Sequence, residues 1–91
     1  MDLKEAIMKR FLRKLVNLNI WGGRHTELGN LQKALPDHLR GSKESRLAIK
    51  ELLEKEFINV KMSTKEQHVS LNSHKQKEIY EFLGSFDERM K

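Results

Sequence analysis

The sequence predicts an α+β fold that is mainly helical, and three observations support this fold class. Apolar residues recur at helical spacing in three stretches before residue 57 and in a fourth after residue 73. Between them, residues 58–71 alternate apolar and polar side chains, as strands with one buried face do. Ninety-one residues also fit one small core. We therefore expect a single domain over residues 1–91, with four helices and one β-hairpin.

The first helix is expected over about residues 3–17. Its apolar stripe consists of Leu3, Ile7, Phe11 and Leu15. Asp2 can cap the helix, with Glu5 three residues later as in a capping box. The opposite face is basic and carries Lys4, Lys9, Arg10, Arg13 and Lys14. The pattern indicates an amphipathic helix with a cationic outer side.

The stretch IWGGRHTELGN, residues 20–30, joins this helix to the next. A very short extended piece is expected at Ile20 and Trp21, before two glycines turn the chain. Thr26 then has the side chain of a helix N-cap. A second helix is therefore expected over about residues 27–34.

A third helix is expected over residues 43–56, where the composition strongly favours helix and Ser42 can cap its start. The predicted core positions are Ala48, Ile49, Leu52 and Leu53. The outward positions are then Lys43, Arg46, Leu47, Lys50, Glu51 and Glu54. The exposed N-terminal half of this helix is thus expected to be basic and its C-terminal half acidic.

The alternating run of residues 58–71 predicts a β-hairpin whose polar turn is formed by residues 64–66. A fourth helix follows over about residues 73–84, capped by Asn72 or Ser73. Its apolar residues spread around more than one face, namely Tyr80, Phe82, Leu83, Phe86 and Met90. This leaves two alternatives, namely packing of the extra surface on the first helix or a homodimer through the C-terminal helix.

The composition excludes several classes of protein. No cysteine is present, so disulfides and thiolate chemistry are excluded, and apolar runs of two or three residues predict no membrane helix. A cytoplasmic location is the resulting expectation. The net charge of +5 has its surplus in residues 1–25 and 58–77, which favours an acidic partner such as nucleic acid.

The order helix, short strand, helix, helix, hairpin, helix resembles a winged helix-turn-helix domain over about residues 3–83. The segments IWGGRHTE, LPDHLRG, RLAIKELLEKEF and HVSLN further resemble small, largely uncharacterised archaeal winged-helix proteins. The resemblance implies a three-helix core, a short strand, a β-hairpin wing and here an additional C-terminal helix. Winged helices serve DNA binding, RNA binding and protein assembly alike. The basic start of residues 43–56 and the basic hairpin favour double-stranded DNA among these, in a transcription regulator or a general DNA-binding protein.

In a winged helix, residues 43–56 would form the recognition helix, which contacts bases mainly through its N-terminal residues. Arg46 is then the candidate for a bidentate guanine contact, and Lys43 and Lys50 for phosphate contacts. Further candidates for contacts to the DNA backbone are Arg24, His25, Arg40, Ser42, Lys61, Lys65 and His68. The alternative is that these are ordinary solvated residues and that Ser42 only caps its helix.

No catalytic motif supports an enzyme, because neither a nucleophile elbow nor a phosphate loop nor a dinucleotide fingerprint occurs. The four histidines have no pair at metal-ligand spacing, so neither a metal nor a cofactor is expected. A protein-interaction module without strong DNA binding is the main alternative function. RNA binding is a third alternative, disfavoured because no clear platform of exposed aromatic residues is expected.

Overall fold

The structure, a computed structural model, describes residues 2–84. Its elements are α1 (Leu3–Asn17), β1 (Thr26–Glu27), α2 (Leu28–Gln32), a 3₁₀ turn (Asp37–Leu39), α3 (Lys43–Glu54), β2 (Ile58–Ser63), β3 (Glu66–Leu71), a second 3₁₀ turn (Ser73–Lys75) and α4 (Gln76–Leu83). The strands form an antiparallel sheet in the order β1-β3-β2. This arrangement confirms the α+β, mainly helical fold class, and its topology is consistent with a winged helix.

The first helix has the predicted bounds and the predicted cap. The backbone amide of Glu5 donates a hydrogen bond of 2.7 Å to Oδ1 of Asp2. The buried residues of α1 are Ile7, Met8, Phe11, Leu12 and Leu15. Each such side chain contributes about 1.5–3 kcal/mol when it leaves water, so this helix is the main support of the core.

The short strand β1 lies later in the chain than predicted. It is formed by Thr26 and Glu27, which pair with β3, whereas the strand was expected at Ile20 and Trp21. The assignment of Thr26 as the N-cap of the second helix is therefore wrong, because its backbone already belongs to the sheet. Glu27 precedes α2 instead and makes no side-chain capping bond. The helix is consequently shorter than the predicted residues 27–34.

Trp21 nevertheless contacts the sheet through one isolated parallel bridge to Leu71. The amide of Gly22 donates to the carbonyl of Leu71 at 3.0 Å, and the amide of Leu71 donates to the carbonyl of Ile20 at 2.8 Å. The chain then leaves the sheet, since Gly22 adopts a left-handed backbone with a φ of 58°. A single bridge results where a strand was predicted.

Helix α3 ends at Glu54, two residues before its predicted end. Glu56 has a φ of 63°, which a helix cannot continue. The amides of Glu56 and Phe57 donate to the carbonyls of Leu53 and Leu52, both at 3.0 Å. This is a Schellman ending, and it directs the chain from α3 straight into β2.

The hairpin has the predicted alternation but a shorter turn. Its two turn residues are Thr64 and Lys65, while Glu66 is the first residue of β3 and pairs with the last residue of β2. Thr64 has a φ of 58°, an unfavourable backbone for a β-branched residue. The inner face of the sheet carries the pairs Ile58 with Leu71 and Val60 with Val69.

The fourth helix begins later than residue 73, because Asn72 caps a 3₁₀ turn in front of it. Oδ1 of Asn72 accepts a hydrogen bond of 3.0 Å from the amide of His74. Ile79 and Leu83 of α4 are buried in the common core. None of the helices within residues 2–84 has the length and apolar character that a membrane crossing requires.

Candidate nucleic-acid interface

The inward side of α3 differs from the predicted one at two positions, Leu53 and Ser45. Ala48 and Leu52 are buried as predicted and Ile49 is half-buried, but Leu53 is 40% exposed. Each residue turns the helix by about 100°, so Leu53 is carried away from the core side that Leu52 occupies. Ser45, fully buried, lies on that core side instead. The prediction that Leu53 is a core residue is therefore wrong.

The outward side of α3 carries three basic residues in its N-terminal two turns. Lys43, Arg46 and Lys50 are all exposed and follow one another at steps of three and four, so they share one face. Within residues 2–84, none of the three forms an ion pair with a carboxylate. Nη1 of Arg46 donates to the carbonyl of Gly41 at 2.6 Å, which holds its guanidinium near the start of the helix.

The acidic residues of α3 are partly directed away from this basic face. Glu51 was predicted to point outward, but it is half-buried. Its Oε1 forms an ion pair with Nζ of Lys4 on α1 at 2.5 Å. The hydrogen bond to Glu51 and the negative charge of Glu51 raise the pKa of Lys4. Glu54 remains exposed at the C-terminal end. The predicted division of this helix into a basic start and an acidic end is thus only partly visible at its surface.

Ser42 caps α3, and this explains the residue without any ligand. Its Oγ accepts a hydrogen bond of 3.2 Å from the amide of Ser45, whose own hydroxyl donates to the carbonyl of Ser42 at 2.9 Å. The other backbone amides of the first turn still lie at the positive end of the helix dipole. A phosphate contact of Ser42 itself stays a prediction.

The guanidinium of Arg40 contacts two backbone carbonyls and one carboxylate of its own chain. Its Nε donates to the carbonyl of Leu35 at 2.8 Å, and its Nη2 lies 3.5 Å from the carbonyl of Lys33. Its Nη1 pairs with Oδ1 of Asp37 at 2.7 Å. This guanidinium therefore braces the connection between α2 and α3, and a phosphate would compete with three existing contacts.

The candidate residues of the hairpin lie beside Glu27, a carboxylate that the sequence pattern did not place near them. In the register of the sheet, His68 lies opposite Lys61 on β2 and opposite Glu27 on β1. Glu66 lies on the same outer face, and its hydrogen bond to Glu27 and their mutual repulsion raise the pKa of Glu66 above its ordinary 4.5. Lys65 is exposed at the turn. Two carboxylates thus counteract the positive charge of this face.

Arg24 and His25 lie in the loop directly before β1, and both are exposed. The amide of Arg24 donates to the carbonyl of Trp21 at 3.0 Å, so the loop is tied to the bridge at the end of the sheet. Within residues 2–84, neither side chain forms a hydrogen bond or an ion pair. Both stay available to a ligand at the β1 edge of the sheet.

The apolar surface predicted for a homodimer is partly packed within the domain. The ring of Tyr80 lies 6.1 Å from that of Trp21, and the ring of Phe82 lies 5.8 Å from that of Phe57. These contacts cover part of the surface within the domain, and the homodimer stays a prediction. Two further residues of the predicted dimer surface, which lie outside the described residues, are Phe86 and Met90.

Among residues 2–84, no three histidine or acidic side chains lie close enough together to hold a metal ion. Comparisons with protein-family models, curated proteins and solved structures find no significant match for this chain. The class of the domain therefore follows from its own topology: three helices, a hairpin paired to a short strand, and a fourth helix. The helix that precedes the hairpin, α3, carries the exposed basic face of Lys43, Arg46 and Lys50.

Proposed function

We propose that this protein binds double-stranded DNA through α3. The observation that carries the proposal is the exposed face of Lys43, Arg46 and Lys50, which forms no ion pair with the described carboxylates. Cations that no carboxylate neutralises are the groups that displace counterions from a phosphate backbone. Their position on the first two turns of the helix is the position from which such helices contact DNA.

The proposed binding mode inserts the N-terminal half of α3 into the major groove. Arg46 donates to the two acceptors of a guanine, after exchanging its bond to the carbonyl of Gly41 for the base. Lys43 and Lys50 contact phosphates on either side. Base recognition then rests on one arginine, which suits a regulator of transcription whose specificity is completed by other contacts or by DNA shape.

The hairpin and the loop before β1 supply weaker backbone contacts in this mode. Lys61, Lys65 and His68 face the sugar-phosphate chain from the hairpin, while Arg24 and His25 do so from the loop. The carboxylates of Glu27 and Glu66 beside His68 repel phosphate, so the hairpin contributes less than its lysines alone would. Binding needs no cofactor in this proposal, and no catalysis is proposed.

The test is a fluorescence anisotropy titration of the full chain with a labelled duplex at two salt concentrations. Between about 50 and 200 mM salt, the logarithm of the affinity should fall with a slope of roughly −0.9 for each phosphate neutralised. Lys43→Glu and Lys50→Glu should each remove most of this affinity, whereas Lys77→Glu on α4, with the same change of charge, is the matched control. Affinity no tighter than that of a generic polycation of equal charge would refute the proposal.

A second candidate function is supported by two exposed leucines of the same helix. Leu47 is 42% exposed and Leu53 40% exposed, on either side of the basic face. Apolar side chains at a helix surface are typical of contacts with another polypeptide. A protein-interaction module predicts weak DNA binding, together with loss of a partner in the variant Leu47→Ser/Leu53→Ser. The DNA proposal instead predicts a small change in that variant.

A further inference from the structure

One side of α1 forms a groove that the proposed DNA interface does not use. Its residues follow one another at steps of three or one, so they lie along a single stripe of the helix. Together with the connection between α2 and α3, they define the α1 groove. Its α1 side runs from Leu3 through Arg10 to Leu18, and Ala34, Leu35 and Leu39 line it from the connection.

The groove has an apolar end and a cationic end. The apolar end is a hollow of about 220 Å³ whose apolar walls include Leu3, Leu35 and Leu39. The cationic end is a wider hollow of about 480 Å³, lined by Arg13, Lys14 and others. Arg10 lines both hollows, so they lie next to each other along α1. From Leu3 to Leu18 the stripe is about 23 Å long, the length of roughly four turns of helix.

The cations of the groove have no acidic partner among residues 2–84. Arg10 donates to the carbonyl of Ala34 at 3.1 Å, and no carboxylate of the described chain pairs with Arg10, Arg13 or Lys14. The other two lysines of α1 are already paired, Lys4 with α3 and Lys9 with a neighbouring turn of its own helix. The groove side of α1 therefore carries unneutralised positive charge next to exposed apolar surface.

We propose that the α1 groove binds an acidic amphipathic helix of a partner protein. Carboxylates of such a helix would meet Arg10, Arg13 and Lys14, and its apolar side chains would enter the hollow beside Leu3, which is 46% exposed. Complementary charge selects the partner, and apolar burial supplies affinity. A DNA backbone fits this groove less well, because it presents no apolar side chain to the Leu3 end.

The test uses a fluorescein-labelled peptide of sixteen residues, with leucines along one helical face and glutamates elsewhere. Anisotropy with the full chain should show saturable binding. Reversal of two charges in Arg13→Glu/Lys14→Glu should weaken this binding about tenfold or more. The variant Lys43→Glu/Lys50→Glu, with an equal change of charge on α3, should retain the affinity within about twofold because those lysines lie outside the groove.

The apolar end has its own test, which does not depend on charge. Ala6→Phe fills the hollow, and it should weaken peptide binding about fivefold by blocking the leucine side chains. Circular dichroism checks that each variant keeps its helices. In an NMR titration of the unsubstituted chain, the largest shifts should fall on Ala6, Arg10 and Ala34, which would remain informative if Ala6→Phe failed to fold.

Three outcomes would overturn the proposal. One is the lack of saturable binding up to about 1 mM peptide, which corresponds to a free energy of binding weaker than about −4 kcal/mol. The second is equal affinity for an all-glutamate peptide of the same length, since it would show a purely electrostatic contact. The third is a loss of duplex affinity in Arg13→Glu/Lys14→Glu that is as large as the loss of peptide affinity, because it would make the groove a nucleic-acid surface.

Discussion

Helix α3 and the hairpin both carry candidate basic residues, but the fold treats their charges differently. On α3, Lys43, Arg46 and Lys50 share an exposed face on which none of them pairs with a described carboxylate. On the hairpin, His68 is flanked by Lys61 on one side and by Glu27 on the other. The helix thus keeps its positive field, whereas the sheet reduces that of the hairpin.

The difference shows that charge has to be counted among neighbours in space. Residues 58–71 contain two basic and one acidic side chain, so the hairpin counted by itself has a net charge of +1. The sheet then adds Glu27 from before α2, and Glu27 hydrogen bonds to the one carboxylate already present, Glu66. A sum over consecutive residues omits a charge that arrives from another strand.

The largest expected effect is a loss of DNA affinity, which should be greater for a variant of α3 than for a variant of the hairpin. Arg46→Ala should weaken duplex binding by about 1–3 kcal/mol, because it removes a proposed base contact. Lys61→Ala should weaken it by no more than about 0.5–1 kcal/mol, because a single screened phosphate contact is lost. Anisotropy titrations of both variants and of Lys77→Ala measure this. Equal losses in Arg46→Ala and Lys61→Ala would reverse the proposed ranking.

A smaller effect concerns the carboxylates of the hairpin. Glu66→Gln should raise duplex affinity about two- to fivefold at neutral pH, because it removes a negative charge near the phosphates. The gain should shrink as the pH falls through the raised pKa of Glu66, where the unsubstituted carboxyl becomes neutral as well. Titrations at several pH values measure both effects. An affinity that is unchanged in Glu66→Gln at neutral pH would place the hairpin away from the DNA.

The turn of the hairpin offers a modest change in stability. Thr64→Asn should raise the free energy of unfolding by about 0.5 kcal/mol, because asparagine tolerates a positive φ better than a β-branched residue. Urea denaturation followed by circular dichroism measures the change. Thr64→Val keeps the β-branch and should give no gain. A similar gain in both variants would mean that the backbone of Thr64 is not the cause.

The smallest effect is the dependence of stability on pH. The folded pKa of Glu66 lies above 4.5, so the folded state binds more protons than the unfolded state between these two values. The contribution is fully present below pH 4.5 and is lost as the pH rises through the folded pKa. The difference in unfolding free energy between the unsubstituted chain and Glu66→Gln should therefore change across this window. A difference that stays constant would contradict the raised pKa.

Local patterns were sufficient to predict much of the fold. The bounds and cap of α1 follow from its own repeat and from Asp2, and the hairpin follows from an alternation that spans only 58–71. The position of β1 could not be found in this way, because Thr26 becomes a strand residue only by pairing with β3. The end of α3 likewise depends on the left-handed backbone of Glu56, for which glycine would have been the expected signal.

The candidate site was predicted unevenly for the same reason. The basic start of α3 depends on helical spacing alone, and Lys43, Arg46 and Lys50 are indeed exposed together. The contacts of Arg40 involve backbone carbonyls, and their positions cannot be predicted from the spacing of residues in the sequence. Asp37, three residues before Arg40, was the one available sign that its guanidinium pairs within the chain.

The bridge between Trp21 and Leu71 also gives the molecule an internal optical probe. Trp21 is the only tryptophan of the chain, and its half-buried indole lies between the end of the sheet and Tyr80 of α4. Release of α4 would expose the indole to water and shift its emission to longer wavelength. A duplex bound at α3 would leave that emission unchanged. Trp21 emission therefore reports unfolding without a label on the protein, while the anisotropy of a labelled duplex reports binding in the same cuvette.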